Sequence, residues 1–208
     1  MIKVQNVGNC CTITLARPEK ANALTEGMLA ALASAATDAA TNGAKVLILT
    51  GEGKVFSAGA DLDGMKSGLG LSPAWEAASG AIAAFPGLSI AVLNGTLAGG
   101  AMSVALACDL RIAVPSANFF YPIMRLGYRP QPSDPGRLAA LVGPSRAKMI
   151  LLAGQKIGAE DALAWGLIDR ICDPEALTDT AMSLAEHALA ADPGHVAALK
   201  RMTTGDQA

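Results

Sequence analysis

Two short stretches of small residues hold the chemistry this chain can offer. The first is Asn94-Gly95-Thr96-Leu97-Ala98-Gly99-Gly100-Ala101, which follows the apolar run Ser89-Ile90-Ala91-Val92-Leu93 and leads into small and aliphatic residues ending at Cys108-Asp109. A glycine pair ahead of a helix leaves unpaired N–H groups at the positive end of the helix dipole. With no Cβ there, a ligand oxygen can approach the main chain closely. Such a place suits a partial negative charge, either a phosphate or a polarised carbonyl. The second stretch, Phe56-Ser57-Ala58-Gly59-Ala60-Asp61-Leu62, follows its own apolar run, Lys45-Val46-Leu47-Ile48-Leu49-Thr50. Both stretches read as strand, small-residue turn and helix. Neighbouring strands would bring the turns to one point, where two N–H groups grip a single oxygen. That is an oxyanion hole, suited to a thioester carbonyl becoming an enolate.

The elements that must position these turns follow from periodicity and punctuation. Residues 5–15 read as a hairpin about Gly8-Asn9, and residues 17–24 as a polar loop. Thr25 is a cap for an alanine-rich helix over residues 26–41, stopped by Asn42-Gly43. The uninterrupted apolar run at 45–50 predicts a strand covered on both faces. A glycine-rich and mobile segment is expected at 62–72, and a helix at 73–85. After the central unit come a strand at 110–114 and an extended piece at 117–122. An irregular loop at 130–136 contains three prolines, and helices follow at 137–142, 145–153 and 158–165. The tail, 174–202, reads as helical with a break at Asp192-Pro193-Gly194. Strands alternating with helices indicate an α/β fold.

At 208 residues the chain is long enough for one full core, and 51% apolar against 16% charged residues means that much of it is buried or at subunit contacts. A net charge of -2 and 4% aromatic residues give no footprint for nucleic acid and no polybasic patch for a membrane. The uncharged stretch 77–108 is cut by Pro86-Gly87, Asn94-Gly95 and Gly99-Gly100, so it reads as buried strand and helix rather than a membrane span. The four cysteines (Cys10, Cys11, Cys108, Cys172) form no CxxC pair and have no histidine at ligand spacing, so no metal site is expected. With no leader at Met1-Ile2-Lys3-Val4, a reduced, cytoplasmic, soluble protein is the expectation.

Four segments in register carry a resemblance: residues 13–25 (ITLARPEKANALT), 46–62 (VLILTGEGKVFSAGADL), 94–113 (NGTLAGGA…ACDLRIA) and 162–169 (AxxWGLID). Over roughly residues 3–170 the chain resembles the crotonase superfamily, the enoyl-CoA hydratases and isomerases. The resemblance implies a ClpP/crotonase-like spiral of ββα units, with an acyl-CoA-binding core over 1–170 and a short helical C-terminal region over 171–208. It further implies a homo-oligomer, a trimer or dimer of trimers, and an acyl-CoA substrate that brings its own coenzyme A, with no other cofactor. Of the site residues, it implies that Ala58 and Gly100 supply the two oxyanion-hole N–H groups. Lys20, Ala21 and Ala23 would lie along the coenzyme, and Ala58, Gly59, Ala60, Asp61, Leu62 and Gly100 around the thioester. Asp61 is expected to hold the turn rather than react. Lys200 is either a phosphate ligand or a solvated side chain, and the C-terminus is short for the family.

The chain departs from the family pattern at several positions. Hydratases of the family use two glutamates to activate water; Ser103 and Ile123 occupy those positions here, so ordinary hydration is not expected. Some isomerases and a dehalogenase branch place one carboxylate in the loop after Leu126-Gly127, and that position is Gln131. An amide orients groups but carries no proton. Asp134, three residues on, is the remaining acid/base candidate, although Asp134-Pro135 also reads as a helix cap followed by proline at the first helical position. Asp63 reads as a solvated turn residue. Tyr121 and Tyr128 are possible donors to a polar acyl group, and Arg125 and Arg129 possible partners for an acyl carboxylate. Ser103 as a nucleophile would need a base beside it, yet the histidines, His187 and His195, are both in the tail. Two functions therefore stay open: an enzyme working through a thioester enolate, and an acyl-CoA binder or auxiliary subunit that kept the hole and lost the base. A structural subunit binding no coenzyme A is a third, minor reading.

Overall fold

The fold is seen in a computed structural model that describes residues 1–204. In chain order its elements are β1 (Ile2–Val7), β2 (Cys10–Leu15), α1 (Glu26–Thr41), β3 (Val46–Gly51), β4 (Val55–Ser57), α2 (Leu62–Lys66), α3 (Ala74–Ala83), β5 (Leu88–Leu93), β6 (Thr96–Ala98) and α4 (Met102–Leu106). They continue with β7 (Leu110–Ala113), β8 (Asn118–Phe120), α5 (Ile123–Leu126), α6 (Asp134–Leu151), β9 (Ile157–Gly158), α7 (Ala159–Trp165), β10 (Arg170–Ile171), α8 (Leu177–Ala190) and α9 (Pro193–Thr204). One sheet has the order β1-β2-β3-β5-β7-β10 and a smaller one β4-β6-β8-β9. From β3 onward the chain repeats one move: a strand in the large sheet, a strand in the small sheet, then a helix. This is the expected spiral of ββα units. Its rungs stack in parallel, β3 on β5 on β7 and β4 on β6 on β8.

The local sequence explains the rungs. Val46-Leu47-Ile48-Leu49 are all buried because β3 lies between β2 and β5 and α8 packs on it. Thr25 caps α1, its hydroxyl oxygen accepting the Met28 N–H at 3.2 Å, as expected. The helix buries Met28, Leu29, Leu32, Ala35, Ala36 and Ala39 against α3 and the sheet. Aliphatic side chains of this kind stabilise by roughly 25 cal/mol per Å² removed from water. The parallel pairing of β4 with β6, Val55 opposite Thr96 and Ser57 opposite Leu97, sets the two small-residue turns side by side.

The structure revises several expected boundaries. The hairpin begins at Ile2 rather than at residue 5. Segment 62–72 is not structureless: Asp61 caps α2, and a 3₁₀ turn follows at Leu69–Leu71. Residues 134–136 join the helix after them, so α6 runs from Asp134 to Leu151, and its path breaks at Gly143 (φ 79°, ψ 157°) just before Pro144. A 3₁₀ turn at Gly99–Ala101 leads into the central helix α4, which ends at Leu106, short of Cys108-Asp109. In the tail, α8 buries Leu177, Ala181 and Ala185 against the large sheet, and the last four residues of the expected C-terminal region lie outside the described residues. Among the described residues no helix is long and apolar enough to cross a membrane.

Candidate active site

The first turn is held almost atom by atom by the loop before α1. The Ser57 hydroxyl donates to the Asn22 carbonyl at 2.8 Å, and Ala58 N–H donates to the Ala21 carbonyl at 2.9 Å. Gly59 N–H donates to Ser57 Oγ at 3.2 Å, Leu24 N–H to the Gly59 carbonyl at 2.7 Å, and Asp61 N–H to the Leu24 carbonyl at 2.9 Å. Among the described residues, the N–H of Ala60 is the one between 58 and 61 that finds no partner. This corrects the expectation for Ala58, whose N–H is consumed because the chain doubles back at Ala21 and Asn22 in the left-handed region (φ 48° and 53°). The open donor of this turn lies two residues further on.

The second turn meets it directly. Gly59 has φ +102°, and a Cβ there would lie 2.9 Å from the Ala98 carbonyl oxygen and 3.2 Å from the Gly100 nitrogen. The lack of a side chain is what lets the two turns touch. Gly100 is close-packed on its other side, where a Cβ would lie 2.7 Å from Trp75 Cη2. Trp75 is itself fixed by an indole N–H bond of 2.9 Å to the Leu69 carbonyl. Ala58, Ala60, Gly99 and Gly100 line one cavity of about 380 Å³, together with Trp75, Tyr121, Ile123 and Gln131.

Behind the wall of this cavity lies a buried carboxyl group. Asp134 is fully buried, and its Oδ2 accepts hydrogen bonds from Ser103 Oγ at 2.8 Å and from the Tyr121 hydroxyl at 2.9 Å. Its Oδ1 has no hydrogen-bond partner among the described residues. Burial pushes the carboxyl up to about 6, against the pull of the Ser103 and Tyr121 hydroxyls; the negative Glu76 adds to the rise and Arg137 opposes it. The cap reading of Asp134 is overturned: Ser133 is the N-cap, and the Asp134 side chain turns inward from the first helical position. Burial and the adjacent carboxyl also push the Tyr121 phenol well above the ordinary tyrosine range. Asp134, expected only from its place in the loop, is thus brought against Ser103 by the packing of α6 on α4.

The other expected residues divide clearly. Asp61 holds structure: its Oδ1 accepts the N–H groups of Asp63 and Gly64, and its Oδ2 the Arg17 guanidinium at 2.6 Å. The Arg17 hydrogen bond, followed by that of Gly64, keeps this carboxyl below its usual range. Ala21 and Ala23 support the first turn and its Arg17 clamp from behind, and Lys20 is exposed at the end of a 3₁₀ turn. Leu62, Tyr128, Arg129 and Gln131 line the cavity, Gln131 donating to the Gly70 carbonyl at 3.2 Å; Arg125 does not line it. Asp63 is exposed and paired with Lys66. Lys200 is neither a solvated side chain nor one aimed at this cavity: its ammonium donates to the carbonyls of Phe85 and Gly87 and to Asp109 Oδ2. His187 and His195 line a separate cavity beside α9. The sequence reading missed Trp75, Arg17 and Asn22. The first is one large residue among alanines, and the other two sit in a polar loop without periodicity.

The comparisons with known proteins agree with this architecture. The family model described as enoyl-CoA hydratase/isomerase matches residues 5–206, and the chain belongs to that family. A probable enoyl-CoA hydratase, echA6, of Mycobacterium tuberculosis is 34% identical over 171 residues, covering 82% of this chain and 70% of its own. The 1,2-epoxyphenylacetyl-CoA isomerase of Escherichia coli is 35% identical over 192 residues, 88% of this chain and 73% of its own. Among solved structures, that of Pseudomonas aeruginosa DspI superposes with a TM-score of 0.92 at 30% identity, covering 98% of this chain and 86% of its own.

Proposed function

We propose that this protein is an acyl-CoA enzyme that polarises a thioester carbonyl between the N–H groups of Ala60 and Gly100 and moves a proton on the acyl chain through Tyr121 and Asp134. Two hydrogen bonds to the carbonyl oxygen stabilise the enolate that forms when an α-proton leaves. In the step we propose, the Cα–H bond breaks and its electron pair passes into the enolate. The proton moves to the Tyr121 oxygen while the Tyr121 proton moves to Asp134 Oδ2, which becomes the neutral acid. Return of the proton at another carbon of the conjugated system completes an isomerisation. A carboxyl near 6 is ionised at neutral pH, yet basic enough to take a proton. Hydration is disfavoured because Ser103 and Ile123 stand where the resemblance calls for water-activating glutamates. The coenzyme arrives as part of the substrate, and assembly as a homotrimer or dimer of trimers belongs to the same reading.

The observation that carries this reading is the buried Asp134 bonded to Tyr121, a residue that lines the same cavity as the two open turns. The competing reading, a binder without chemistry, draws on the fact that Asp134 does not itself line the cavity. Incubating the protein with butyryl-CoA in deuterium oxide separates them. The enzyme exchanges deuterium into the α-carbon, and Asp134→Asn or Tyr121→Phe slows this by about 10²–10⁴-fold. Tight butyryl-CoA binding with no exchange in the wild type would identify a binder.

A further inference from the structure

Both turns are anchored to the same short stretch of main chain, residues 51–55, and an asparagine makes the attachment in each case. Asn22, fully buried and in the left-handed region at φ 53°, donates through Nδ2 to the carbonyls of Glu52 at 2.9 Å and Val55 at 2.8 Å. Its Oδ1 accepts the Arg17 N–H at 2.8 Å, and its main-chain carbonyl takes the Ser57 hydroxyl that in turn receives Gly59 N–H. Asn94 directly follows β5, at the head of the second small-residue stretch and two residues before β6. Its Nδ2 donates to the Gly53 carbonyl at 2.8 Å and reaches the Val55 carbonyl at 3.5 Å, while its Oδ1 accepts Gly51 N–H at 3.2 Å. The two amides therefore share the Val55 carbonyl and face each other across Gly51. A Cβ on Gly51 would lie 2.9 Å from Asn22 Nδ2 and 3.0 Å from Asn94 Oδ1, so this glycine makes room for both. At Gly95 the second turn approaches the same stretch so closely that a Cβ would lie 2.0 Å from the Lys54 carbonyl oxygen.

We infer that Asn22 and Asn94 are a pair of positioning residues that set the separation of the Ala60 and Gly100 N–H groups through the 51–55 stretch; this rests on the proposed thioester site. Neither touches the cavity. Asn22 acts on Ala60 by way of Ser57 and Gly59, and Asn94 acts on Gly100 by way of β6. An amide is suited to the task because one side chain both donates and accepts, bridging main-chain groups that face in different directions. A left-handed non-glycine residue persists where the surroundings over-determine it. Five hydrogen bonds on Asn22, the fifth from its own N–H to the Arg17 carbonyl at 2.9 Å, supply that determination.

The test uses crotonyl-CoA carrying ¹³C at its carbonyl, with the bound carbonyl stretch read by isotope-edited infrared spectroscopy. In the wild type the stretch falls below its value in free solution. Asn94→Ala and Asn22→Gly, which keeps the left-handed backbone accessible, each return it toward that value. Both leave the affinity for free coenzyme A within a few-fold, and each slows the α-deuterium exchange of butyryl-CoA by about a hundredfold, as misplacement by about 1 Å does. The double variant loses little more than either single one, because both act on one separation. Folded variants that keep the lowered stretch, or single effects that multiply, would overturn the pairing. If Asn22→Gly does not fold, Ser57→Ala replaces it with the same expectations. A wild type that binds crotonyl-CoA without lowering the stretch would instead sink the thioester site itself.

Discussion

Asp134 gives the sharpest quantitative handle on the site, through stability rather than catalysis. Its carboxyl lies near 6 in the folded protein against an ordinary 3.8, mainly because burial penalises the charged form. The folded state thus holds this proton over a window in which the unfolded chain has released it. Stability from this group is fully present below 3.8 and is lost as pH rises through about 6. The gap is about two pH units at about 1.4 kcal/mol each, or about 3 kcal/mol in all. Asp134→Asn is isosteric, and its carbonyl oxygen can still accept the Ser103 and Tyr121 hydroxyls, but it cannot ionise. Urea unfolding of both proteins at fixed concentration, in steps from about pH 4 to about pH 7, gives two stability curves. The variant should gain about 3 kcal/mol relative to wild type across the window, other groups cancelling in the difference. A relative change below about 1 kcal/mol would mean that the carboxyl titrates in the fold much as it does in an open chain. The buried acid/base reasoning would then fail.

Three further outcomes are expected. Ser103→Ala removes a hydrogen bond that favours the Asp134 carboxylate, so the acid limb of the exchange-rate profile should move to higher pH; an unmoved limb would detach Ser103 from the site's chemistry. Gly100→Ala drives a methyl group into the Trp75 ring, which its indole bond keeps from sliding away, and should cost about 1–3 kcal/mol in a thermal or urea melt, partly recovered by Trp75→Phe. Lys200→Met breaks charge-assisted bonds to Phe85, Gly87 and Asp109 that together fasten α9, so hydrogen exchange over 193–204 should rise well above that of the β-sheets. Unchanged protection would show that apolar contacts alone seat the helix.

The fold was legible because its rungs are written in strong local signals: Val46-Leu47-Ile48-Leu49 for a doubly covered strand, Thr25 for a cap, and Gly99-Gly100 for a close main-chain approach. The meeting of the two turns was legible too, since their shared strand-turn-helix design predicted it. The identity of the first donor was not. Whether Ala58 or Ala60 keeps a free N–H depends on the carbonyls of Ala21 and Leu24, more than thirty residues away, and on two left-handed non-glycine residues that no pattern announces. The cap that Asp134-Pro135 also suggested, beside its reading as an acid/base candidate, does not form for a related reason. Asp-Pro is a good cap locally, but burying Asp134 between Ser103 and Tyr121 is a tertiary outcome that overrides the local preference. Segment 62–72 looked loose because of its glycines, whereas the Asp61 carboxylate, pinned by Arg17, gives it a starting point for a helix.

In the proposed reaction, the groups offered to the carbonyl belong to the peptide backbone, and those offered to the proton belong to side chains. An exchange of amino acid at position 60 alters a methyl group and keeps the amide, whereas an exchange at 103, 121, 123, 131 or 134 rewrites what can be protonated. Such a scaffold separates the holding of its ligand from the choice of its reaction, so altering the acid and base around a preserved grip is the economical way to redesign it.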